Sequence, residues 1–261
     1  MNSPAQRLIG GFLRITRLAW FPVKVRNGLA QGAWWTLYPF SAYWRGHVER
    51  EMQDVIAALG DFRGKVVWDA GAHYSIYSIG LALRTGPTGQ VVAFEPNPQS
   101  FARLRHHARR NRLTWLKALP YAVSDEVGVA ELITYGLTES TTTHLAFENE
   151  TRTAAWHPIA VPRVRPDDLV KTGEIRPPWF VKIDVEGHGH HALAGMQQTL
   201  REHRPRLIIA FHSPEEVAGC AAILDPLGYR RTRIETSSGS PDPVIGHDFL
   251  YLPPDSASGP A

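Results

Sequence analysis

Residues 66–75, with the sequence VVWDAGAHYS, are the feature that most constrains what this chain can fold into. Their short apolar run is typical of a buried parallel strand, and it ends at an acidic residue, Asp69. A turn containing Gly71 follows, and the apolar residues after it have helical spacing. In open α/β sheets this order forms nucleotide-type cofactor sites, because glycine permits close approach and a helix N-terminus favours polar groups. Taken alone, these residues are equally consistent with an ordinary strand-to-helix turn.

Strand and helix patterns alternate along the rest of the chain. Such repeats predict an α/β fold with a mostly parallel sheet, helices on both faces and right-handed crossovers, in which ligands bind at the carboxyl ends of the strands. Residues 136–157 are polar and rich in threonine, and we predict a long loop over the site there. The predicted strands are residues 66–69, 90–95, 114–122, 129–134, 161–164, 179–185, 206–211, 229–234 and 248–252, the last two as an antiparallel pair, and the predicted helices are residues 47–59, 77–84, 98–111, 189–203 and 214–227, with a short helix after residues 165–169.

Residues 1–50 form a basic unit before these repeats. They carry seven Lys or Arg residues against Glu49 alone, a net charge of +6, whereas the chain as a whole has +3. Apolar residues recur at helical spacing until Pro22, and aromatic residues follow. A basic amphipathic helix followed by aromatics forms either a lid on the main domain or a membrane-interface contact, and the two are compatible. We therefore divide the chain into a helical extension at 1–50, a main domain at 51–252 and a flexible tail at 253–261.

The composition excludes several classes of protein. A single cysteine, Cys220, leaves no internal disulfide framework and indicates a reducing compartment, so we expect a cytoplasmic protein in which Cys220 has a packing role. No apolar stretch reaches the roughly 18–20 uncharged residues of a transmembrane helix, and we expect no signal peptide. Peripheral contact with the inner face of the membrane through residues 1–50 is consistent with their charge. Because the remaining residues are net negative, nucleic acid is not an expected partner.

Acidic residues end or follow several of the predicted strands. Glu95 ends the second strand, and a carboxylate there can accept hydrogen bonds from both ribose hydroxyls of a nucleoside. A carboxylate near a helix dipole is the alternative for Glu95. Asp125 follows the third strand, where it could accept from an adenine amine or stabilise a turn. A nicotinamide dehydrogenase is disfavoured, because the chain has no G-x-G-x-x-G motif.

Residues 182–187, with the sequence KIDVEG, are the second strong signal. Side chains alternate in a strand, so Lys182, Asp184 and Glu186 share one face. Three charged groups on one face of an otherwise apolar strand are costly unless they are paired or functional. A lysine–acid ion pair is one interpretation, and placement in an active site is the one we favour.

Four motifs, DAGAHYS, AFEPNP, AVSD and FVKIDVEG, resemble the FkbM-type family of S-adenosylmethionine-dependent methyltransferases. The resemblance covers residues 63–212. It implies a Rossmann-like seven-stranded methyltransferase sheet, mostly parallel with an antiparallel strand near the C-terminus, and S-adenosylmethionine as cofactor. It also implies O-methylation of a hydroxyl on a sugar, glycolipid or secondary metabolite, so the expected partner is a small-molecule or glycan acceptor. By position it assigns cofactor binding to Asp69, Ala70, Gly71, Ser75, Glu95, Asn97, Ser124, Asp125 and Asp184.

Three parts of the chain depart from the family pattern. Where the family's first loop has asparagine and a second glycine, this chain has His73 and Ser75, although a serine can still cap the helix. The family's second acid after the KIDVEG motif is replaced by Gly189. The acid that the family has two residues before His212 is replaced by Ala210. These departures keep open an alternative, a catalytically impaired methyltransferase-fold protein that serves as a binding partner or scaffold.

Methyl transfer from a sulfonium to oxygen is an in-line displacement, in which an acceptor hydroxyl must also lose a proton. The resemblance assigns Asp184 and Glu186 to the catalytic floor, and we expect the base among Glu186, His188 and His212. His212 follows a predicted strand and is of the residue type that titrates near neutral pH, but a histidine at a helix start is the alternative. Asp184, Glu186 and His212 could also hold a divalent ion. Nothing in their spacing demands one, and we predict no metal.

Overall fold

The computed structural model describes residues 21–37, 43–135, 143–145, 156–235 and 240–254. In chain order the strands are β1 Pro22–Lys24, β2 Trp34–Thr36, β3 Val66–Ala70, β4 Gln90–Phe94, β5 Leu116–Leu119, β6 Ala122–Val123, β7 Gly128–Tyr135, β8 Thr143–Leu145, β9 Trp156–Val164, β10 Phe180–Ile183, β11 Arg206–Ala210, β12 Arg230–Arg233 and β13 Asp248–Leu252. The helices are α1 Arg50–Ala58, α2 Ile76–Thr85, α3 Pro98–Arg110, α4 Pro166–Lys171, α5 Gly189–Ala194, α6 Gln197–His203 and α7 Pro214–Leu224, with a 3-10 turn at Tyr43–Arg45.

The centre of the molecule is a seven-stranded sheet in the order β12-β13-β11-β10-β3-β4-β5. The strands β3, β4, β5, β10 and β11 run parallel, whereas β13 runs antiparallel to both of its neighbours, β11 and β12. The apolar sequences of the central strands suit this arrangement, because a parallel sheet is buried on both faces. The predicted α/β fold, with a mostly parallel sheet and an antiparallel strand near the C-terminus, is confirmed.

Helices cover both faces of this sheet. The hairpin β1–β2 packs on one face with α1, α2 and α3, and the helices α4–α7 pack on the other. Successive strand residues therefore lie in different halves of the core, as Val67 and Trp68 of β3 do, both 0% exposed. Cys220 of α7 is buried in the core, which confirms its predicted packing role.

A second sheet has four strands in the order β6-β9-β7-β8. The strands predicted at residues 129–134 and 161–164 belong to it as β7 and β9, which pair antiparallel. The single strand predicted at residues 114–122 is in fact two strands, β5 in the first sheet and β6 in the second. Pro120 separates them, because proline cannot donate a ladder hydrogen bond.

The prediction of one long loop over residues 136–157 is wrong where the structure describes that segment. Residues 143–145 form β8 and residues 156–157 begin β9, and both strands pair with β7. The polar sequence misled the prediction because backbone pairing with β7, rather than apolar periodicity, holds these residues. The remainder of the predicted loop, residues 136–142 and 146–155, lies outside the described part.

The helix predicted at residues 189–203 is also divided, into α5 and α6. Gly195 ends α5 and lies against the carbonyl oxygen of Ser124, so closely that a Cβ on this glycine would overlap that oxygen. Because the backbone of residue 124 approaches the helix at this point, the chain turns before α6 begins. The other predicted strands and helices of the main domain match within a few residues.

The described part of the N-terminal extension is a β-hairpin, and the prediction of a helical extension is wrong for it. Pro22, predicted to end a helix, begins β1, because proline suits the start of an edge strand. Trp35 of β2 is 1% exposed and stacks on His107 of α3 at 3.8 Å. The amphipathic stretch predicted before Pro22 lies outside the described residues, as do residues 255–261 of the predicted tail.

Of the helices that the structure describes, none has the length and apolarity to cross a membrane, and membrane contact through residues 1–50 stays a prediction.

Candidate functional site

Charged residues meet where the central parallel strands end. The strand register places Asp69 of β3 beside Lys182 of β10. Asp184 follows one step further along the same face as Lys182, because side chains alternate along a strand. The sequence-based expectation that the acids of β3 and β10 converge at one edge is therefore met.

Lys182 is 2% exposed and links these two acids. Its Nζ atom lies 3.0 Å from Oδ2 of Asp184 and 4.0 Å from Oδ1 of Asp69. It also lies 5.0 Å from the ring centre of Tyr77, whose hydroxyl donates a 2.6 Å hydrogen bond to Glu49. Burial lowers the pKa of Lys182, but the charges of Asp184 and Asp69 outweigh it and raise the pKa above its usual value. Lys182 is therefore a charged partner of the acids, as the ion-pair interpretation predicts.

Asp69 is fully buried, and one of its oxygens has no hydrogen-bond partner. Its Oδ2 atom accepts a hydrogen bond from the Ser78 hydroxyl, whereas Oδ1 has no hydrogen bond in the structure. Burial raises the pKa of Asp69, and the charge of Lys182 acts in the opposite direction. An unpartnered buried oxygen is costly, so this strand end is a place where an added donor would be stabilised.

Asp184, Glu186 and His212 come together just beyond the ends of β10 and β11. Nε2 of His212 lies 3.6 Å from Oδ1 of Asp184 and 3.5 Å from Oε2 of Glu186. Each of the three side chains is 28% exposed, so the cluster is open on one side. Glu186 has a positive φ of 51°, a conformation that non-glycine residues seldom adopt, and the chain turns sharply there after β10. Three of the four predicted catalytic residues thus lie together.

Glu216 of α7 completes this cluster, and the sequence analysis missed it. Its side chain is 0% exposed, and its two oxygens accept hydrogen bonds from the backbone N–H groups of Gly189 (2.7 Å) and His212 (2.8 Å). Oε2 also lies 3.6 Å from Nδ1 of His212. A Cβ on Gly189 would lie 2.5 Å from Oε1 of Glu216. Gly189, at the position where the family pattern has an acid, has no side chain. The carboxylate of Glu216 from α7 occupies the space beside it.

The surrounding carboxylates determine the charge of His212. Burial lowers its pKa, but Glu216, Asp184 and Glu186 outweigh that effect and raise the pKa to about 9. His212 therefore carries a proton near neutral pH, which does not suit a base that must accept one in that state. The general-base role of His212 stays a prediction.

Asp248 is a second acid that the sequence analysis missed. It begins β13 directly opposite Ala210 of β11 in the strand register. Burial and the charges of Asp184 and Glu49 raise the pKa of Asp248 to about 7. An acid on the neighbouring strand therefore stands next to Ala210, the second position where the family pattern has an acid.

Glu95 directly follows β4 and is 4% exposed. Its Oε1 accepts a 2.8 Å hydrogen bond from the N–H of Asn97, and its Oε2 accepts a 2.6 Å hydrogen bond from the N–H of His73. Asn97 caps α3, since its side-chain oxygen accepts from the N–H groups of Gln99 and Ser100. Burial raises the pKa of Glu95 to about 7. Glu95 thus joins the end of β4 to the loop after β3.

The turn after β3 needs its glycine. Gly71 has a φ of 84°, and a Cβ there would overlap the carbonyl oxygen of Asp184. Ala70 is buried, and its carbonyl oxygen accepts a hydrogen bond from the N–H of Asp184.

Ser75 has a φ of 72° and precedes α2. Its side chain makes no capping bond, so that prediction is wrong: the hydroxyl instead donates to the carbonyl of Tyr74 and lies 3.0 Å from Nδ1 of His107.

Ser124 and Asp125 form a separate group with the histidines around the start of α5. Oδ1 of Asp125 lies 3.0 Å from Nδ1 of His191, and the Ser124 hydroxyl lies 3.3 Å from Nε2 of His188. Burial, with the charges of His191 and His190, lowers the pKa of His188 to about 3, so that it is neutral. His188, the fourth predicted catalytic residue, therefore contacts the Asp125 group, and its catalytic role stays a prediction.

The fold and this acid-rich strand edge define an α/β protein with a Rossmann-like methyltransferase sheet. The chain belongs to the FkbM methyltransferase domain family, whose model matches residues 69–231, more than half of its length. S-adenosylmethionine is the cofactor of this domain. The match includes the predicted site from Asp69 to His212 and also contains Glu216.

Two relatives give the distance of this chain from characterised proteins. It is 29% identical over 168 residues to the hexuronic acid methyltransferase AglP of Haloferax volcanii, covering 64% of this chain and 65% of that protein. The crystal structure of the methyltransferase FkbM from Methylobacillus flagellatus is 19% identical and has a TM-score of 0.50. That match covers 72% of this chain and 43% of the other. The chain thus spans less than two thirds of the length of either relative, and the structural likeness concerns the fold alone.

Proposed function

We propose that this protein is an S-adenosylmethionine-dependent O-methyltransferase that acts on a hydroxyl of a sugar, glycolipid or secondary metabolite. The observation that carries the proposal is the cluster at the strand edge, in which Nε2 of His212 lies 3.6 Å from Asp184 and 3.5 Å from Glu186. A sugar acceptor is supported by the name of the Haloferax volcanii relative, a hexuronic acid methyltransferase.

The residues of the first loop fit the cofactor. Gly71 allows the tight approach of backbone that a ligand-binding turn needs, and Oδ1 of Asp69 is a buried acceptor without a donor. In the proposal Asp69 accepts from the ammonium group of the cofactor, Glu95 accepts from its ribose hydroxyls and Asp125 from its adenine amine. Both oxygens of Glu95 already accept one backbone hydrogen bond, and each keeps a second lone pair for a hydroxyl. Bound S-adenosylmethionine supplies a methyl group on a sulfonium.

The charge of the cluster supports a hydroxyl as the acceptor rather than a carboxylate. Asp184, Glu186 and Glu216 surround one imidazolium, and Lys182 is already paired with Asp184. A carboxylate acceptor would be repelled by the surplus of negative charge in this cluster, whereas a neutral hydroxyl can donate a hydrogen bond to one of its carboxylates. In the proposed step the hydroxyl oxygen bonds to the methyl carbon, the carbon–sulfur bond breaks, and the proton passes to a carboxylate oxygen of Asp184 or Glu186.

Transfer of a labelled methyl group tests this proposal. We expect label from S-adenosylmethionine to reach a neutral or acidic glycan in a form stable to mild alkali, since an ether resists alkali and a methyl ester does not. Glu186→Gln should lower the turnover by about 10²–10⁴-fold, the range for loss of an acid–base group, and leave cofactor binding intact. Glu215→Gln, an exposed neighbour on α7, is the control and should retain activity.

Two outcomes of this assay would contradict the proposal. Label that mild alkali releases would identify a carboxylate acceptor. Binding of S-adenosylhomocysteine without transfer to either the neutral or the acidic glycans would favour the catalytically impaired scaffold. The carboxylates of Glu216 and Asp248, near the two positions that lack the family's acids, support activity over that alternative.

A further inference from the structure

The side chains of Asp184, Glu186 and His212 offer three metal-ligand atoms around one point. One atom from each residue lies within 4.8 Å of the other two, and among the residues that the structure describes no other group of His, Cys, Asp or Glu meets this condition. Two atoms bound to the same cation at about 2.0–2.4 Å stand about 3–3.5 Å apart. The distances from Nε2 of His212 to the two carboxylates, 3.5 and 3.6 Å, are close to this spacing.

These distances fit a shared cation better than direct hydrogen bonds. A charge-assisted hydrogen bond between an imidazolium nitrogen and a carboxylate oxygen spans about 2.7–2.9 Å. Nε2 of His212 instead lies 3.6 Å from Oδ1 of Asp184 and 3.5 Å from Oε2 of Glu186, and both distances are longer than such a bond. The three atoms are thus spaced as ligands of one ion are, rather than as hydrogen-bonded pairs.

The group behind His212 is a further observation on the same cluster. Histidines that bind metals almost always direct their other ring nitrogen at a carboxylate, carbonyl or water, which fixes the ring and raises its basicity. Nδ1 of His212 is buried without a hydrogen-bond partner and faces Oε2 of Glu216 at 3.6 Å, a distance longer than a hydrogen bond. Glu216 is fully buried and held by two backbone N–H groups. The imidazole therefore has ligand-type neighbours on one nitrogen and a supporting carboxylate on the other.

Asp184 is held in a similar way. Its Oδ2 atom pairs with Lys182 at 3.0 Å, so Oδ1 is the oxygen that faces His212. The partial exposure of all three side chains leaves one side of the cluster open to further oxygen ligands.

We propose that Asp184, Glu186 and His212 bind a divalent cation, with Glu216 as a positioning residue behind His212. Two carboxylates and one imidazole suit a cation such as Mn²⁺, which accepts both oxygen and nitrogen ligands. The ion takes the place of a proton between the imidazole and the two carboxylates. Its open positions take oxygen atoms of the acceptor, such as two neighbouring sugar hydroxyls, and this last point rests on the proposed function. Coordination acidifies a bound hydroxyl, and the second oxygen of Glu186 is the acceptor for its proton, since Oδ2 of Asp184 pairs with Lys182.

The test is a titration of the chelator-treated full chain with Mn²⁺ in the absence of cofactor, with free Mn²⁺ followed by its electron paramagnetic resonance signal. We expect one bound ion per chain in the wild type. Asp184→Asn and Glu186→Gln should each abolish the binding. Glu216→Gln should weaken it by about 10–100-fold, the range for a carboxylate that orients a metal-binding histidine. Glu215→Gln removes the same charge from the next position of α7 and should change nothing.

Two results would overturn the cation site. One is a wild type that binds no Mn²⁺ at millimolar concentration. The other is Mn²⁺ binding that is the same in Glu186→Gln as in the wild type, with both shown to be folded by circular dichroism. A parallel titration with S-adenosylhomocysteine separates this proposal from the proposed function. Cofactor binding without Mn²⁺ binding removes the cation site alone, and Mn²⁺ binding without cofactor binding removes the methyltransferase assignment alone.

Discussion

Glu95 shows how the fold sets the chemistry of a single residue. The end of β4 buries its carboxyl group, while two backbone N–H groups from the surrounding loops hold its oxygens. Burial is the larger effect, and it raises the pKa from an ordinary 4.5 to about 7. A carboxyl whose pKa is raised by folding stabilises the folded state most below pH 4.5, and this contribution is lost as the pH rises through 7.

This shift predicts a pH dependence of cofactor binding. An ionised carboxylate accepts hydrogen bonds from ribose hydroxyls better than a neutral acid, so the affinity for S-adenosylhomocysteine should rise between pH 6 and pH 8. Calorimetric titration at several pH values measures the effect. Glu95→Gln should bind more weakly at pH 8 and lose most of the pH dependence. A wild-type affinity that stays constant across this range would contradict the role given to Glu95.

At the scale of elements, the contact between α5 and α7 depends on the absence of a side chain at Gly189. α5 can begin beside Glu216 only because residue 189 has no side chain, since a Cβ there would lie 2.5 Å from Oε1. Its φ is not in the left-handed region, so the constraint at Gly189 is steric rather than a matter of backbone strain. The same contact carries the hydrogen bond from the N–H of Gly189 to Glu216.

Gly189→Ala therefore should destabilise the protein by about 1–3 kcal/mol, the usual cost of overpacking a filled site. Urea denaturation gives the free energy of unfolding. The same substitution in a Glu216→Ala background should cost much less, because the atom it strikes is gone. Equal costs in the two backgrounds would show that Glu216 does not fill the space beside residue 189.

These elements also show how far the sequence could lead. Buried strands such as β3 and β10 were predictable, because an apolar run that ends in an acid has few other structural meanings. Glu216 and Asp248 were not, since nothing local says that α7 packs against the start of α5 or that β13 pairs with β11 at Ala210. The residues 213–216 read SPEE, a pattern that indicates a helix N-cap, and Ser213 does cap α7. The pattern cannot show that the carboxylate of Glu216 points to His212 instead.

At the scale of the whole molecule, the N-terminal hairpin is tied to the first loop of the site. His107 of α3 stacks on Trp35, accepts a hydrogen bond from the N–H of Thr36 and lies 3.0 Å from the hydroxyl of Ser75. Burial, with the charges of His106 and Arg103, lowers the pKa of His107 to about 3 and keeps it neutral. His107 thus connects three parts of the molecule: the N-terminal hairpin, the helix α3 and the loop after β3. The hydroxyl of Ser75 is used in this contact, so the departure from glycine at position 75 has a structural partner.

The central claim is that the edge formed by β3, β4 and β10 holds S-adenosylmethionine. Calorimetric titration with S-adenosylhomocysteine, on the wild type and on Asp69→Asn, tests it most directly, with NAD as a ligand control. Asp61→Asn, which changes an exposed acid before β3, is the matched variant control. We predict micromolar binding to the wild type and to Asp61→Asn, at least tenfold weaker binding to Asp69→Asn because a charged acceptor is lost, and no binding of NAD. No binding to the wild type, or equal affinity in wild type and Asp69→Asn, would contradict the claim.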